Sequence, residues 1–178
     1  MQISVDTCLP FPRDLVYRTY RDRLVEVLPQ LPNIKQVTRV KYREVPPITH
    51  CVYEWEGGAD IPGLVQSLIP PTLLHWTEVD DWYEPRFEVS WRITPHAFQS
   101  AIQCNGCNQF IDQGDQTLIQ NRGTLTIQTD QLTTVPLPMR GTVAAIAEKI
   151  LGQAIAPNLK TMGGGIAALL ARESTLEG

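Results

Sequence analysis

Three histidines, His50, His75 and His96, are the only imidazoles in the chain. No Ser or Cys nucleophile motif, no His-Glu-x-x-His and no phosphate-binding loop accompanies them. His50 and His75 sit in strand-like segments beside Cys51 and Trp76, and His96 follows Pro95 in a turn. Either of the first two, with a carboxylate such as Glu78 or Glu54, would give an enzyme's general acid–base site if both groups reach one cavity. Without partners, a structural or surface role is the simpler reading of each.

Glu78 alternates with Asp80, which would pair two carboxylates on one strand face, while the consecutive Asp80 and Asp81 must point to opposite sides. The expectation is an outer, solvated face. Arg39, Lys41 and Arg43 alternate into a basic stripe, read as a convex solvated face or a contact for an anionic lipid or partner. Cys104-Asn105-Gly106-Cys107 is a CxxC with no mate, since Cys8 and Cys51 stand alone, so no metal site is expected. A bridge between its thiols depends on whether a turn forms between them.

Four Trp in 178 residues are a large apolar payload for an ordinary core. Asn108 and Asn121 are the polar oddity, because they fall on otherwise apolar strand faces, and a few convergent polar groups in an apolar pocket are how ligand sites are built.

The elements that position these residues follow from periodicity. Ile3, Val5, Thr7 and Leu9 alternate as a half-buried strand ended by Pro10 and Pro12. Pro12 suits a first helical position, and Leu15, Val16, Thr19 and Tyr20, then Leu24, Val25 and Leu28, give one or two short helices before Pro29 and Pro32. Residues 34–45 and 48–56, split by Pro46 and Pro47, read as an antiparallel pair. Residues 61–69 suit a short helix or capping loop, with Leu64 and Leu68 on its apolar side. Residues 73–83 and 86–94 form the next strands around Glu84-Pro85, with Phe87, Val89, Trp91 and Ile93 on one face.

Two turns compete between Phe98 and Leu132. Asn105-Gly106 has the stronger dipeptide preference. Closing there mixes apolar with polar partners, whereas closing at Gly114-Asp115 pairs Phe110 with Ile119, Asn108 with Asn121, Gly106 with Gly123, Cys104 with Leu125 and Ile102 with Ile127. A one-residue slip would swap every side chain between faces, so the second register is preferred, and it sends Cys104 and Cys107 to opposite faces. Thr142 to Arg172 is helical, with Val143, Ile146, Ile150, Met162 and Ile166 on its stripe. Pro157 predicts a kink or two abutting helices, and Gly163 to Gly165 a close approach to the backbone or fraying.

With a net charge of −4 and 43% hydrophobic residues, the chain fits a single domain spanning 1–178, its last few residues disordered, with no need of a disulfide or metal staple. Modest charge argues against nucleic-acid binding. No window is apolar enough to span a membrane and no signal segment opens the chain, so a cytoplasmic location is expected, with at most transient membrane-surface contact and a monomer or homodimer state. Residues 13–44 hold eight Lys/Arg against four Asp/Glu, whereas 54–88 hold eight Asp/Glu against Arg86 alone, a contrast that also allows a protein-interaction module.

The element order (strand, short helices, six antiparallel strands, long helix) resembles the helix-grip fold of the START-like (SRPBCC) superfamily. The resemblance implies an α+β fold with a seven-stranded curved antiparallel sheet wrapped around a long C-terminal helix, two short helices after the first strand, and a cavity between sheet and helix. A weaker likeness to PRELI-type phospholipid-transfer domains rests on Phe11 to Tyr17, on Ile61 to Ile69, on Trp76 and Glu78, and on Gly141 followed by a helix bearing Asn158 and Gly163. Pro157, the triple Gly, the acidic middle and sparse C-terminal Lys depart from that family. Together the likenesses imply binding, and possible transport, of an apolar or amphipathic small molecule, lipid or isoprenoid-like, without a cofactor. The expected lining is Trp55, Leu64, Leu68, Trp76, Phe87, Val89, Trp91, Asn108, Phe110, Asn121, Met162 and Ile166.

Overall fold

The computed structural model describes residues 1–31, 33–58, 61 and 67–176. Seven strands form one antiparallel sheet in the order β1-β7-β6-β5-β4-β3-β2, with β1 Gln2–Leu9, β2 Ile34–Val45, β3 Ile48–Gly57, β4 His75–Tyr83, β5 Glu88–Pro95, β6 Ile102–Asp112 and β7 Thr117–Ile127. Helix α1, Arg13–Arg23, runs on into a 3-10 segment over Leu24–Gln30, and α2, Arg140–Leu176, closes the fold. The sheet is curved, and both helices contribute to the core that covers its inner face.

Side-chain alternation decides what that face carries. Register pairs Trp55 with Trp76, Tyr53 with Glu78, Cys51 with Asp80 and Thr49 with Trp82, so these eight residues share the inner face. The rows continue through Ile93, Trp91 and Val89 of β5 to Cys104, Gly106 and Asn108 of β6 and Leu125, Gly123 and Asn121 of β7. The β6–β7 hairpin closes around Gly114, which has φ 80°, in the register that facial agreement predicts and not at Asn105-Gly106. Hydrophobic pairing over ten residues outweighs one favourable dipeptide.

Several expectations shift by a residue or two. Pro12 is the N-cap of α1, one position before the helix, and Val16 N–H donates to its carbonyl at 3.1 Å. Pro71–Leu74 is a 3-10 turn, so β4 starts at His75, and a 3-10 turn over Glu84–Arg86 with Phe87 at φ 52° delays β5 to Glu88. Of the loop at 61–69, residues 62–66, Leu64 among them, lie outside the described residues; Ile61 and Ile69 are buried. Helix α2 continues through Pro157, so there are not two abutting helices. Gly163 does mark a close approach, since a Cβ there would lie 2.6 Å from the Thr7 methyl of β1.

The basic stripe is not one stripe. A β-bulge between Arg39 and Lys41 leaves Arg39 opposite Tyr53 on the inner side, where its guanidinium donates to the Asp22 carbonyl at 3.0 Å. Lys41 and Arg43, opposite Val52 and His50, face outward. One inserted residue moves the side chains on either side of it to opposite faces.

Candidate functional site

Two adjoining clefts lie between the inner face of the sheet and α2. The first is lined by Ile34, Trp55, Trp76, Glu78, Ile93, Ala154, Ile155, Asn158, Leu159 and Met162 and holds about 330 Å³ of empty space, counting the part open to solvent. The second, about 280 Å³ on the same measure, is lined by Tyr20, Leu24, Glu78, Asp80, Trp82, Val89, Trp91, Asn108, Leu159 and Met162. Glu78, Leu159 and Met162 belong to both.

The paired carboxylates are therefore inside, which corrects the outer-face expectation. Asp80 is only 3% exposed, and among the described residues no Lys, Arg or His lines either cleft. Burial pushes the Glu78 carboxyl up to about 7, against partial relief from Asp80 and the Trp55 indole. Burial first, and then the charge of Glu78, raises Asp80 well above the ordinary carboxylate range. Two acids this close, Asp80 buried and Glu78 half-buried, titrate as a pair.

Around them are buried polar atoms that lack a well-formed hydrogen bond: the indole N–H groups of Trp55, Trp76 and Trp82, Asp80 Oδ1 and Asn158 Oδ1. Such atoms are rare in a packed interior, because desolvating one without a partner costs roughly 1–3 kcal/mol. The rings of Trp55 and Trp76 lie parallel to within 10° with centroids 6.0 Å apart, forming one wall of the first cleft.

Of the anticipated lining, Trp55, Trp76 and Met162 border the first cleft, while Val89, Trp91, Asn108 and again Met162 border the second. Asn108 is already committed: its Oδ1 accepts from Trp91 Nε1 at 2.8 Å. Trp91 lies over Gly106 and Gly123, where a Cβ would come within 2.3 Å and 2.6 Å of its ring, so the space left by the glycine pair is filled by indole. Asn121 lines neither cleft and donates to the Val5 carbonyl at 3.1 Å. Phe110 and Phe87 pack edge-on against Tyr17, at 5.2 and 5.3 Å, in an aromatic cluster that includes Tyr20 and Trp82. Ile166 is fully buried in the core, and Leu68 packs against it partly exposed.

The histidines belong to the outer face. His50 Nδ1 lies 2.5 Å from Asp81 Oδ1, and His96 Nε2 lies 3.2 Å from Glu54 Oε2 with its ring stacked on His75. His50 and His75 thus do not share a cavity with Glu78, whereas His75 and Glu54 do line one outer-face cleft together with His96 and Glu56. Cys104 and Cys107 are free, on opposite faces, and burial pushes their thiols up to about 12 and about 11. Among the described residues no group of three or more His, Cys, Asp or Glu is placed to hold a metal ion.

Sequence periodicity missed Asp80 and the place of Glu78. The usable signal was the row Trp76-x-Glu78-x-Asp80-x-Trp82: tryptophans bounding a strand row fix which way the acids between them point.

No family model matches the sequence, and no curated protein does. Solved structures do match by shape. TTHA0849 from Thermus thermophilus superposes with a TM-score of 0.64 at 17% identity, over 95% of this chain and 99% of that one. The ZhuI aromatase/cyclase from Streptomyces sp. R1128 gives 0.57 at 14% identity, over 93% of each chain. Norcoclaurine synthase from Thalictrum flavum gives 0.60 at 12% identity, over 96% and 86%. With the seven-stranded sheet and long terminal helix, these matches establish that the chain has the helix-grip fold.

Proposed function

We propose that the protein binds an apolar or amphipathic small molecule in the clefts between the sheet and α2. The supporting observation is the set of buried polar atoms without a partner, Asp80 Oδ1, Asn158 Oδ1 and the Trp76 N–H group, set among aromatic and aliphatic walls. A ligand with an apolar body and a polar end would cover the walls and satisfy those atoms together. Asn108, hydrogen-bonded to Trp91, serves as a structural support in this reading, and Asn121, whose Oδ1 also lacks a partner, lies outside both clefts. Native mass spectrometry of protein taken directly from cells, compared with protein unfolded, extracted and refolded, should show an added small-molecule mass only in the first. Ile155→Trp, which fills the first cleft, should remove it. Identical masses in every preparation would overturn the reading.

One observation favours a second reading, an enzyme of cyclase or hydrolase type. Glu78, with its carboxyl near 7, borders both clefts and would exchange protons with a bound molecule at neutral pH. Its base would be the carboxyl pair and not a histidine. Turnover of a bound metabolite that Glu78→Gln stops without releasing the metabolite would establish it.

A further inference from the structure

Among the described residues no Lys, Arg or His lines either cleft, and the donors beside the acids are neutral indole N–H groups, that of Trp55 next to Glu78 and that of Trp82 next to Asp80. Glu78 and Asp80 project from one row of β4, and Asn158 from α2 lines the same cleft as Glu78. Asn158 is 6% exposed, and its Oδ1, like Asp80 Oδ1, has no partner. The other polar or titratable groups packed around the acids are the indoles of Trp55 from β3 and Trp82 from β4, Tyr20 from α1, Cys51 and Tyr53 from β3, and Cys104 and Asn108 from β6. Each is neutral when protonated or amide in character, and Tyr20 is occupied, donating to Met162 Sδ at 3.0 Å. Two indole faces, Trp55 and Trp76, complete the wall.

We infer that the ligand is a monocationic organic amine, its ammonium group held by Glu78, Asp80 and Asn158 and its apolar body lying along Trp55 and Trp76. This inference rests on the small-molecule reading above and narrows it to a chemical class. An ammonium brings up to three N–H donors to three acceptors and one positive charge to an acid pair that lacks a counter-charge among the described residues. Indole faces attract cations in the same position. An anionic or purely neutral ligand would leave the buried acids without a counter-ion. Below the range in which Glu78 titrates both acids hold their protons, so entry of the cation releases one proton to solvent and leaves the pair with a single negative charge, and amine binding strengthens as pH rises through that range.

The test uses 2-(naphthalen-2-yl)ethylamine, the matching alcohol and the matching carboxylate, titrated into the delipidated, refolded full chain by calorimetry at pH 6 and pH 8. The expected result is amine binding at least tenfold tighter than the alcohol, no measurable carboxylate binding, and a gain for the amine alone between pH 6 and pH 8. Glu78→Gln and Asp80→Asn, close in shape and neutral, should each lose tenfold or more for the amine and leave the alcohol unchanged. Equal binding of amine and alcohol, or preference for the carboxylate, would overturn the amine inference while the small-molecule reading stands. Binding of none of the three by a folded protein would overturn the amine inference; whether a molecule co-purifies from cells separately decides the broader reading.

Discussion

The two faces of β4 carry acids under opposite conditions. On the outer face Asp81 meets His50 and Glu54 of β3 meets His96, all of them roughly 40% exposed and paired with a group able to carry the opposite charge. On the inner face Asp80 is buried and Glu78 half-buried, with no cation lining the clefts among the described residues. Exposed pairs gain little, because water screens them; buried acids without a counter-charge destabilise the fold and hold protons. The contrast identifies where the molecule carries a cost that packing alone does not require. It also turns attention from the histidines, the more obvious chemistry in the sequence, to the acids.

Substitutions on the two faces should differ in cost. The largest effect is expected where the inner face is most tightly filled. Gly106→Ala would place a methyl 2.3 Å from the Trp91 ring and 2.3 Å from the Arg122 carbonyl of the neighbouring strand. Neither can move without disturbing the sheet, so a loss of about 3 kcal/mol or more is expected in urea unfolding, with a shift in Trp fluorescence. A loss below about 0.5 kcal/mol would mean that the inner face is looser than its packing implies.

Next comes the acid pair. Its raised carboxyls mean that the native state holds a proton that the unfolded chain releases. The resulting stabilisation is full below about 4.5, declines as pH rises, and for Glu78 is gone above about 7. Asp80 is raised in the same direction and adds to the decline. Unfolding free energy should therefore fall by on the order of 2 kcal/mol between pH 5 and pH 8, and Glu78→Gln should flatten that slope. An unchanged slope in the variant would place the titration elsewhere.

The smallest effect is expected outside. His50→Ala removes a pair whose members are 41% and 46% exposed, so its loss should cost about 0.2–1 kcal/mol and should shrink in high salt. A cost matching that of the inner-face variants would erase the contrast between the faces.

Much of the fold was legible because it rests on local periodicity. Ile3 to Leu9 alternates, Gly114 permits the turn that facial pairing demands, and the stripe of α2 is continuous in sequence. The bulge at Val40 was not legible, because an extra residue in a polar edge strand leaves no mark on the pattern, and it divides Arg39 from Lys41 and Arg43. Part of the cleft was legible too: Trp55, Trp76 and Met162 follow from apolar faces alone. Asn108 and Asn121 stood out as polar residues on apolar rows, yet the partners they find, Trp91 and the Val5 carbonyl, come from residues 17 and 116 positions away, and Asn121 Oδ1 finds none.

By itself the sequence determined the order of elements, the hairpin register and the surplus of aromatic residues, since each depends on spacing within a strand, a turn or a helix. The tertiary structure decided which way β4 faces. Its two rows, His75-Thr77-Val79-Asp81-Tyr83 and Trp76-Glu78-Asp80-Trp82, both mix polar with apolar residues, so alternation within the strand cannot choose between them. Pairing with Trp55 and Cys51, and cover from α2 and α1, place the second row inside and make the two acids the chemical centre of the cleft.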